Sequence, residues 1–303
     1  MQVKSPINPN NKLVPFLQCK DFTVSHETFT LLLDKESELL ITSPQPKESE
    51  LAKYYESPEY ISHTDSTKTL IDRLYQTVKK YAIAKKVRLV KKYIHDKNDA
   101  ISLLDIGCGT GDFLKVCSDK GFKVSGVEPN DKARNLALNK LNAILIENSI
   151  YEFSNTQKYD VITMWHVLEH VPDLNKNIIA LKSLLKPNGI LIIAVPNYKS
   201  FDANYYKAFW AAYDVPRHLW HFSKQSIEQL FSKINFKVSN ILPMKFDSFY
   251  VSLLSEKYKT GKSNLTKAFF IGLLSNIKAI SSKEYSSQIY VLKNKGNSEI
   301  VKN

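Results

Sequence analysis

Short apolar runs rich in β-branched residues alternate with helical segments between residues 99 and 197. A strand is predicted at AISLLDIG, from Ala100, and the next at FKVSGVEP, from Phe122, with a helix between them that ends at Gly121. Strands separated by helices pair in parallel, because the crossover helix returns the chain to the same end of the sheet. The pattern predicts an α/β fold with a mostly parallel sheet and helices on both faces.

The C-terminal part departs from this alternation. A helix at SKQSIEQLFSKINF, a strand at FKVSNILPMKF and a last strand at SQIYVLKN predict an antiparallel hairpin at one edge of the sheet. The expected organisation is a small appendage with a hairpin near 29–42, a basic helical segment and a large α/β domain with two insertions. Their bounds are 1–60 for the appendage, 61–98 for the basic segment, 99–303 for the domain, and 198–220 and 249–283 for the insertions.

Composition places the chain among cytoplasmic globular proteins. Three cysteines provide no disulfide framework, the first residues show no secretory signal, and the longest apolar run is too short to span a bilayer. The net charge of +12 is concentrated in one stretch, which we call the basic stripe. Such a stripe is a solvated helix face, or it attracts nucleic acid, anionic lipid or an anionic substrate. The stripe comprises Lys68, Arg73, Lys79, Lys80, Lys85, Lys86, Arg88, Lys91, Lys92 and Lys97.

The stretch LLDIGCGTGDFL, from Leu103, places three of the nine glycines at alternate positions after the first strand. Glycine is favoured where φ is positive or where a side chain would collide with a ligand. A dinucleotide fold needs Gly-x-Gly-x-x-Gly for its pyrophosphate, but here the third glycine comes one residue early. Asp112 also stands at the helix start, where it would repel a phosphate. Glu128, at the end of the second strand, can accept hydrogen bonds from a ribose. The loop therefore predicts an adenosine-like ligand without a phosphate.

LLDIGCGTGDFL, VSGVEPN, YDVITMWHVLEHVPD and LLKPNGILIIAVPN resemble the four successive motifs of class I S-adenosylmethionine-dependent methyltransferases. The resemblance covers roughly residues 101–197. It implies a seven-stranded Rossmann-like sheet and S-adenosyl-L-methionine as cofactor. It also implies that the glycine loop passes under the methionine moiety, that Asp105 orients the cofactor's amino group, and that Glu128 binds the ribose. The cofactor residues implied are Asp105, Gly107, Cys108, Gly109, Gly111, Glu128, Pro129, Asn148, Ser149, Trp165 and His166.

The segment HVLEH, from His166 to His170, matches the pattern of inverted zinc peptidases. That motif requires both histidines and the glutamate on one helix, whereas His166 ends a predicted strand and Pro172 interrupts any helix. The segment instead resembles the corresponding run of quinone-biosynthesis O-methyltransferases. In that family the residues after the fourth strand line the cofactor and substrate cleft, which favours Trp165 and His166. We predict a structural role for His170 and no metal.

A dense polar and aromatic group, DVPRHLWHFS from Asp214, follows the fifth strand, where class I enzymes place substrate-recognition insertions. One interpretation is a helix N-terminus packed with aromatics and capped by Ser223. The functional interpretation makes Arg217 a clamp for an anionic group, with the three candidate general bases His166, His218 and His221. The predicted substrate residues are Tyr205, Tyr206, Trp210, Arg217 and His218.

The stretch CKDFTVSHETFTLLLDKESELLITSPQP resembles the zinc-ribbon head of some bacterial class I methyltransferases. The positions that match its ligands are Phe16, Cys19, Asp34 and Ser37. Only Cys19 is a cysteine, and a tetrahedral zinc site needs four ligands. We therefore expect a metal-free head.

The leading hypothesis is a cytoplasmic methyltransferase that acts on a small molecule, with an anionic substrate as one option. The alternative is an RNA or DNA methyltransferase that uses the basic stripe. Enzymes that methylate amino groups of bases carry Asn/Asp-Pro-Pro-Tyr/Phe after strand four, where this chain has Met164-Trp165-His166-Val167. The pattern leaves open the acceptor, the methylated atom and the oligomeric state.

Overall fold

A computed structural model describes residues 3–55, 70–94, 100–141, 144–153 and 157–295, with side chains except at 70–77. Three members of the basic stripe, Lys68, Arg73 and Lys97, lie outside the described side chains. Contacts divide the chain into two compact units. The first unit contains residues 1–62, 166–175 and 193–290, and the second contains 63–165, 176–192 and 291–303.

The described residues form eleven strands and nine α-helices. The strands are β1 (Leu13–Lys20), β2 (Thr28–Asp34), β3 (Leu39–Ser43), β4 (Ser102–Ile106), β5 (Lys123–Val127), β6 (Ile146–Glu147), β7 (Tyr159–Trp165), β8 (Leu185–Pro196), β9 (Trp220–His221), β10 (Phe236–Pro243) and β11 (Ser287–Asn294). The helices are α1 (Glu48–Leu51), α2 (Leu70–Tyr93), α3 (Asp112–Asp119), α4 (Asp131–Leu141), α5 (Leu174–Leu184), α6 (Phe201–Tyr206), α7 (Lys224–Ser232), α8 (Asp247–Thr260) and α9 (Leu265–Ser282).

Seven strands form one sheet in the order β10-β11-β8-β7-β4-β5-β6. β4 pairs in parallel with β5 and β7, and β5 pairs in parallel with β6. The side chains of β7 are buried as far as Met164, as expected for a strand covered on both faces. The order places the two C-terminal strands at one edge. The predicted fold class, a mostly parallel sheet with an antiparallel edge hairpin, is confirmed.

A second, four-stranded sheet lies in the first unit, in the order β1-β2-β3-β9. The predicted hairpin corresponds to the antiparallel pair β2 and β3. β9 pairs with β3 through Ile41 opposite Trp220 and Leu40 opposite His221. The N-terminal sheet therefore takes its fourth strand from a segment far along the chain. The domain boundaries drawn from the sequence stay a prediction.

The head of the first unit uses its polar residues for local hydrogen bonds. Asp34, at one of the positions matched to zinc ligands, accepts hydrogen bonds from Ser5 at 2.5 Å and from Asn11 at 2.9 Å. Cys19 is buried, and this burial raises the pKa of its thiol to about 12. The relation of this head to a zinc ribbon stays a prediction.

Local signals fix the ends of several helices. The side chain of Asn130 accepts the N–H of Ala133 at 3.0 Å and caps α4. Ser223 caps α7 in a capping box with Ser226. α8 and α9 fall in the predicted helical insertion. Among the helices of the described residues, none combines the length and the apolar character that a membrane span needs.

Candidate active site

The glycine loop connects β4 to α3 in the second unit. The backbone N–H groups of Gly107 and Cys108 both donate to the carbonyl of Val127, at 2.7 and 2.9 Å. The φ angles of Gly107, Gly109 and Gly111 are +71°, +55° and +77°. L-residues rarely adopt these angles, so the alternate glycines are explained by backbone conformation.

The glycines differ in what surrounds them. A Cβ on Gly111 would lie 3.0 Å from both the Ala137 Cβ and the Leu141 Cδ1, so this glycine allows α3 to pack closely on α4. A Cβ on Gly109 would meet nothing within 4 Å. Gly111 therefore serves packing, whereas Gly109 borders open space at the carboxyl ends of the parallel strands. Ligands of open α/β sheets bind at that end.

Glu128, directly after β5, is bonded to this loop. One carboxylate oxygen accepts the N–H of Gly109 at 2.8 Å, and the other accepts the N–H of Asn130 at 2.9 Å. Each carboxylate oxygen has two acceptor sites, so each keeps one for a ligand. The half-buried Glu128 can thus fix the loop and still accept hydrogen bonds from a diol, which fits the ribose of the predicted cofactor.

Asp105 is a buried residue of β4, one position before the strand ends, and it accepts a hydrogen bond from the Thr163 hydroxyl at 2.6 Å. Burial raises the pKa of Asp105 to about 7, although the Thr163 hydrogen bond and the charge of Lys86 act in the opposite direction. A carboxyl that ionises near neutrality suits a cationic ligand group, because the cation would stabilise the ionised form.

Trp165, the last residue of β7, carries an unsatisfied donor. Its indole N–H is buried and has no hydrogen-bond partner among the described residues. The ammonium of Lys86 lies 4.6 Å from the centre of the indole ring, and Phe113 packs edge-on against it. A buried donor without a partner is rare, and it fits a ligand that brings an acceptor. Lys86 was predicted only as part of the basic stripe.

The remaining predicted cofactor residues lie around this loop in several environments. Cys108 is buried, and burial raises the pKa of its thiol, which keeps it neutral. Pro129 and Asn148 are exposed, and the Ser149 hydroxyl accepts the Tyr151 N–H at 3.3 Å. Their contact with the cofactor stays a prediction.

Asp112 forms ion pairs with Lys79, at 2.6 Å, and with Lys140, so two lysines compensate the acid at the start of α3.

His166 lies in the first unit, directly after Trp165 in the chain, with a φ of +58°. Its Nε2 is 2.9 Å from the Asp247 carboxylate and its Nδ1 is 3.4 Å from Glu169 Oε1. Burial alone would lower the pKa of His166, but the two carboxylates outweigh it and raise this pKa to about 10. His166 is therefore a cation at neutral pH, which argues against it as a free base. Asp247, the first residue of α8, carries no motif, so the sequence did not identify it.

The pattern HVLEH does not lie on one helix. His166 comes directly after β7, and Leu168–His170 is a single 3-10 turn. The geometry of an inverted zinc peptidase is therefore not formed by this segment, in line with the sequence argument.

The structure does not support Arg217 as an anion clamp. Its side chain is 1% exposed and donates to Asp214 at 2.6 Å, to Asp21 at 3.0 Å and to the Tyr54 carbonyl at 2.9 Å. The pKa values of both carboxyls lie below the ordinary range. Burial alone would raise these pKa values, but the hydrogen bonds and the charge of Arg217 lower them by more. The guanidinium is committed to a buried ion-pair cluster that links the head to residues 214–217.

Most of the other predicted substrate residues are also packed into the first unit. Tyr206 and Trp210 belong to its hydrophobic core, and the Trp210 indole donates to Asp202 at 2.7 Å. His221 Nε2 lies 3.1 Å from the Thr42 hydroxyl, and burial holds the pKa of His221 well below its ordinary value. The core position of Tyr206 and the hydrogen-bond partners of Trp210 and His221 indicate structural roles for all three. Tyr205 is partly exposed and stays a predicted substrate residue.

Comparison with known proteins identifies the family of this chain. The family model described as "Methyltransferase domain" matches residues 73–241. A ubiquinone biosynthesis O-methyltransferase of Rickettsia bellii (strain OSU 85-389) is 23% identical over 244 residues, which cover 76% of this chain and 96% of that protein. The corresponding protein of Glaesserella parasuis serovar 5 is 34% identical over 119 residues, 35% of this chain and 50% of that one.

A similar solved structure is the magnesium protoporphyrin IX methyltransferase of Synechocystis PCC 6803 with bound SAH. It has a TM-score of 0.54 and 15% identity, and the match covers 82% of this chain and all of that one. This likeness supports the fold. Because the family model matches more than half of the chain, the chain belongs to the methyltransferase-domain family, and its assignment to the class I S-adenosylmethionine-dependent methyltransferases is confirmed.

Proposed function

We propose that this enzyme transfers the methyl group of S-adenosylmethionine to an oxygen atom of a small-molecule acceptor. The observation that carries the proposal is the open glycine loop: Gly109 borders free space and its N–H is bound by Glu128. The bound cofactor would supply a methyl group on a sulfonium, whose leaving group is neutral and needs no acid.

Three side chains of the second unit would hold that cofactor. Glu128 has one free acceptor site on each oxygen for a ribose diol. Asp105 would pair with the amino group, and its ionisation would be favoured by that cation. The indole N–H of Trp165 is available to donate. Each residue thus has hydrogen-bonding capacity that its protein partners leave unused.

The small-molecule class and the oxygen acceptor are supported by the relatives, which are named for ubiquinone biosynthesis and O-methylation. Positioning of the acceptor in line with the methyl group can supply about 7–11 kcal/mol of the barrier. A general base adds about 10²–10⁴-fold, and only where the acceptor must lose a proton. Two carboxylates hold His166 as a cation, so it does not provide a free base. We therefore expect the best substrates to be acceptors that ionise readily without a base, such as phenols.

The experiment measures S-adenosylhomocysteine release with hydroxylated aromatic acceptors, and with RNA and duplex DNA as competitors. We expect O-methylated products from the phenols, identified by mass spectrometry, and none from nucleic acid. Glu128→Ala should lose this turnover, while the exposed Glu228→Ala should retain it as a matched control. Methyl incorporation into nucleic acid, with none into the phenols, would overturn the proposal. It would favour the alternative in which the basic stripe binds nucleic acid.

A further inference from the structure

Glu169, His170 and His218 converge in the first unit outside the glycine-loop site. Each offers one ligand atom, and these three atoms all lie within 4.8 Å of one another. We propose that these residues, which we call the His-Glu cluster, bind a divalent transition-metal ion. Two imidazoles and one carboxylate are a donor set that suits Zn²⁺, Co²⁺ and Fe²⁺.

Hydrogen bonds fix which ring nitrogen of His170 and His218 carries the proton. His170 Nδ1 lies 3.1 Å from the Arg217 carbonyl and 3.0 Å from the Tyr55 hydroxyl, and His218 Nδ1 lies 2.9 Å from the Ala212 carbonyl. A carbonyl only accepts, so both Nδ1 atoms carry the proton. The Nε2 lone pairs are then left for a ligand, in the arrangement of outer-shell partners that orients metal-bound histidines.

Glu169 gives a second, independent observation. Its side chain is 1% exposed, and neither carboxylate oxygen has a hydrogen-bond partner among the described residues. The charge contact of Oε1 with His166 Nδ1, at 3.4 Å, is too long to count as a hydrogen bond. The His166 cation compensates part of the charge of this buried carboxylate through Oε1, and Oε2, which has no such contact within the described part of the chain, is available to a bound metal ion.

The backbone around the cluster is fixed. Glu169 and His170 belong to one 3-10 turn, and the Glu169 carbonyl accepts the N–H of Leu219 at 2.8 Å. This bond holds the residue next to His218 against the turn. The cluster uses the Glu-His pair of the HVLEH pattern but replaces His166 by His218, so it differs from the zinc motif rejected above. It also revises the expectation that the protein holds no metal.

The competing account is that these three side chains pack together without an ion. In that account His218 Nε2 faces the Asp214 carboxylate at 4.0 Å. The two accounts differ in one respect that can be measured, which is whether the protein binds a divalent ion at this place.

The test titrates the chelator-treated full-length protein with Zn²⁺ and, separately, with Co²⁺. We expect one equivalent of either ion per chain, a higher melting temperature, and visible Co²⁺ absorption from nitrogen and oxygen ligands. His170→Gln and His218→Gln should each weaken Zn²⁺ binding by at least about 10-fold. His26→Gln, at an exposed histidine, and His221→Gln, at a buried histidine outside the cluster, are the matched controls and should bind as wild type.

Circular dichroism and the melting temperature report whether each variant is folded, and S-adenosylhomocysteine binding shows that the glycine loop, which shares no residue with the cluster, is intact. A folded wild-type protein that binds neither ion overturns the proposal and supports the account without an ion. Equal Zn²⁺ affinity of wild type, His170→Gln and His218→Gln also overturns it, since the ion would then sit elsewhere. If both cluster variants fail to fold, Glu169→Gln, which keeps the shape of the side chain, provides the same comparison.

Discussion

The carboxylate of Glu128 accepts the backbone N–H of Gly109 at 2.8 Å. The acid at the end of β5 thus holds the glycine that leaves the β4–α3 loop open, so one side chain shapes the loop and can also bind the ribose. The two motifs are separated in sequence by helix α3 and strand β5, and the parallel pairing of β4 with β5 brings them together.

Glu128→Ala should weaken the binding of S-adenosylhomocysteine by about 10–100-fold, because hydrogen bonds to a charged group contribute about 1.5–3 kcal/mol each. The loop should also lose its anchor at Gly109, which adds to the effect. Isothermal titration calorimetry measures both proteins, with Glu228→Ala as control. An affinity within two-fold of wild type would remove Glu128 from the cofactor site.

Asp105 should make the free protein less stable as pH rises towards neutrality. An unfolded aspartate titrates near about 3.9, whereas burial raises the pKa of Asp105 to about 7. Between these values the native state binds the proton that the unfolded chain has lost, so the free energy of unfolding falls as pH rises.

Asp105→Asn should remove this pH-dependent fall. The difference in the free energy of unfolding between acidic and neutral pH should therefore shrink by about 2–4 kcal/mol. Urea unfolding at about pH 4.5 and about pH 8 measures the change. The exposed Asp119→Asn, which removes an ion pair with Lys115, is the control. An unchanged pH dependence in the Asp105 variant would contradict the assigned pKa.

Arg217→Met should destabilise the fold by about 3–5 kcal/mol, because it leaves Asp21 and Asp214 without their cation. Arg134→Met breaks a pair with the exposed Asp131 and should change stability by about 1 kcal/mol or less. Chemical denaturation gives both values. A stable Arg217 variant that binds cofactor but has lost acceptor turnover would restore the anion-clamp hypothesis.

Features encoded locally could be predicted from the sequence. The strand-helix alternation, the glycine loop, the Asn130 cap and the β2–β3 hairpin each depend on residues a few positions apart. The alternation does not, however, predict a strand as short as β6, which consists of Ile146–Glu147.

Contacts between distant segments could not be predicted. Arg217 is polar and lies in a motif-rich stretch, which favoured a substrate role, but its partner Asp21 is in the head. Similarly, Asp247 contacts His166 and β9 completes the N-terminal sheet, and neither relationship has a local signal. Burial of a polar side chain depends on the tertiary fold, so the reassignment of Arg217, Trp210 and His221 from binding to structural roles required the structure.

The most direct test of the central claim compares Gly109→Ala with Gly121→Ala in S-adenosylhomocysteine binding. Both glycines have positive φ, +55° and +85°, and a Cβ on either would meet nothing within 4 Å. Both variants should therefore lose a similar stability, about 1–2 kcal/mol. Calorimetry should show Gly121→Ala binding as wild type and Gly109→Ala binding at least about 10-fold more weakly, since only its methyl group would enter the ligand's space. Equal affinities of the two variants would contradict the proposal that the cofactor binds over this loop.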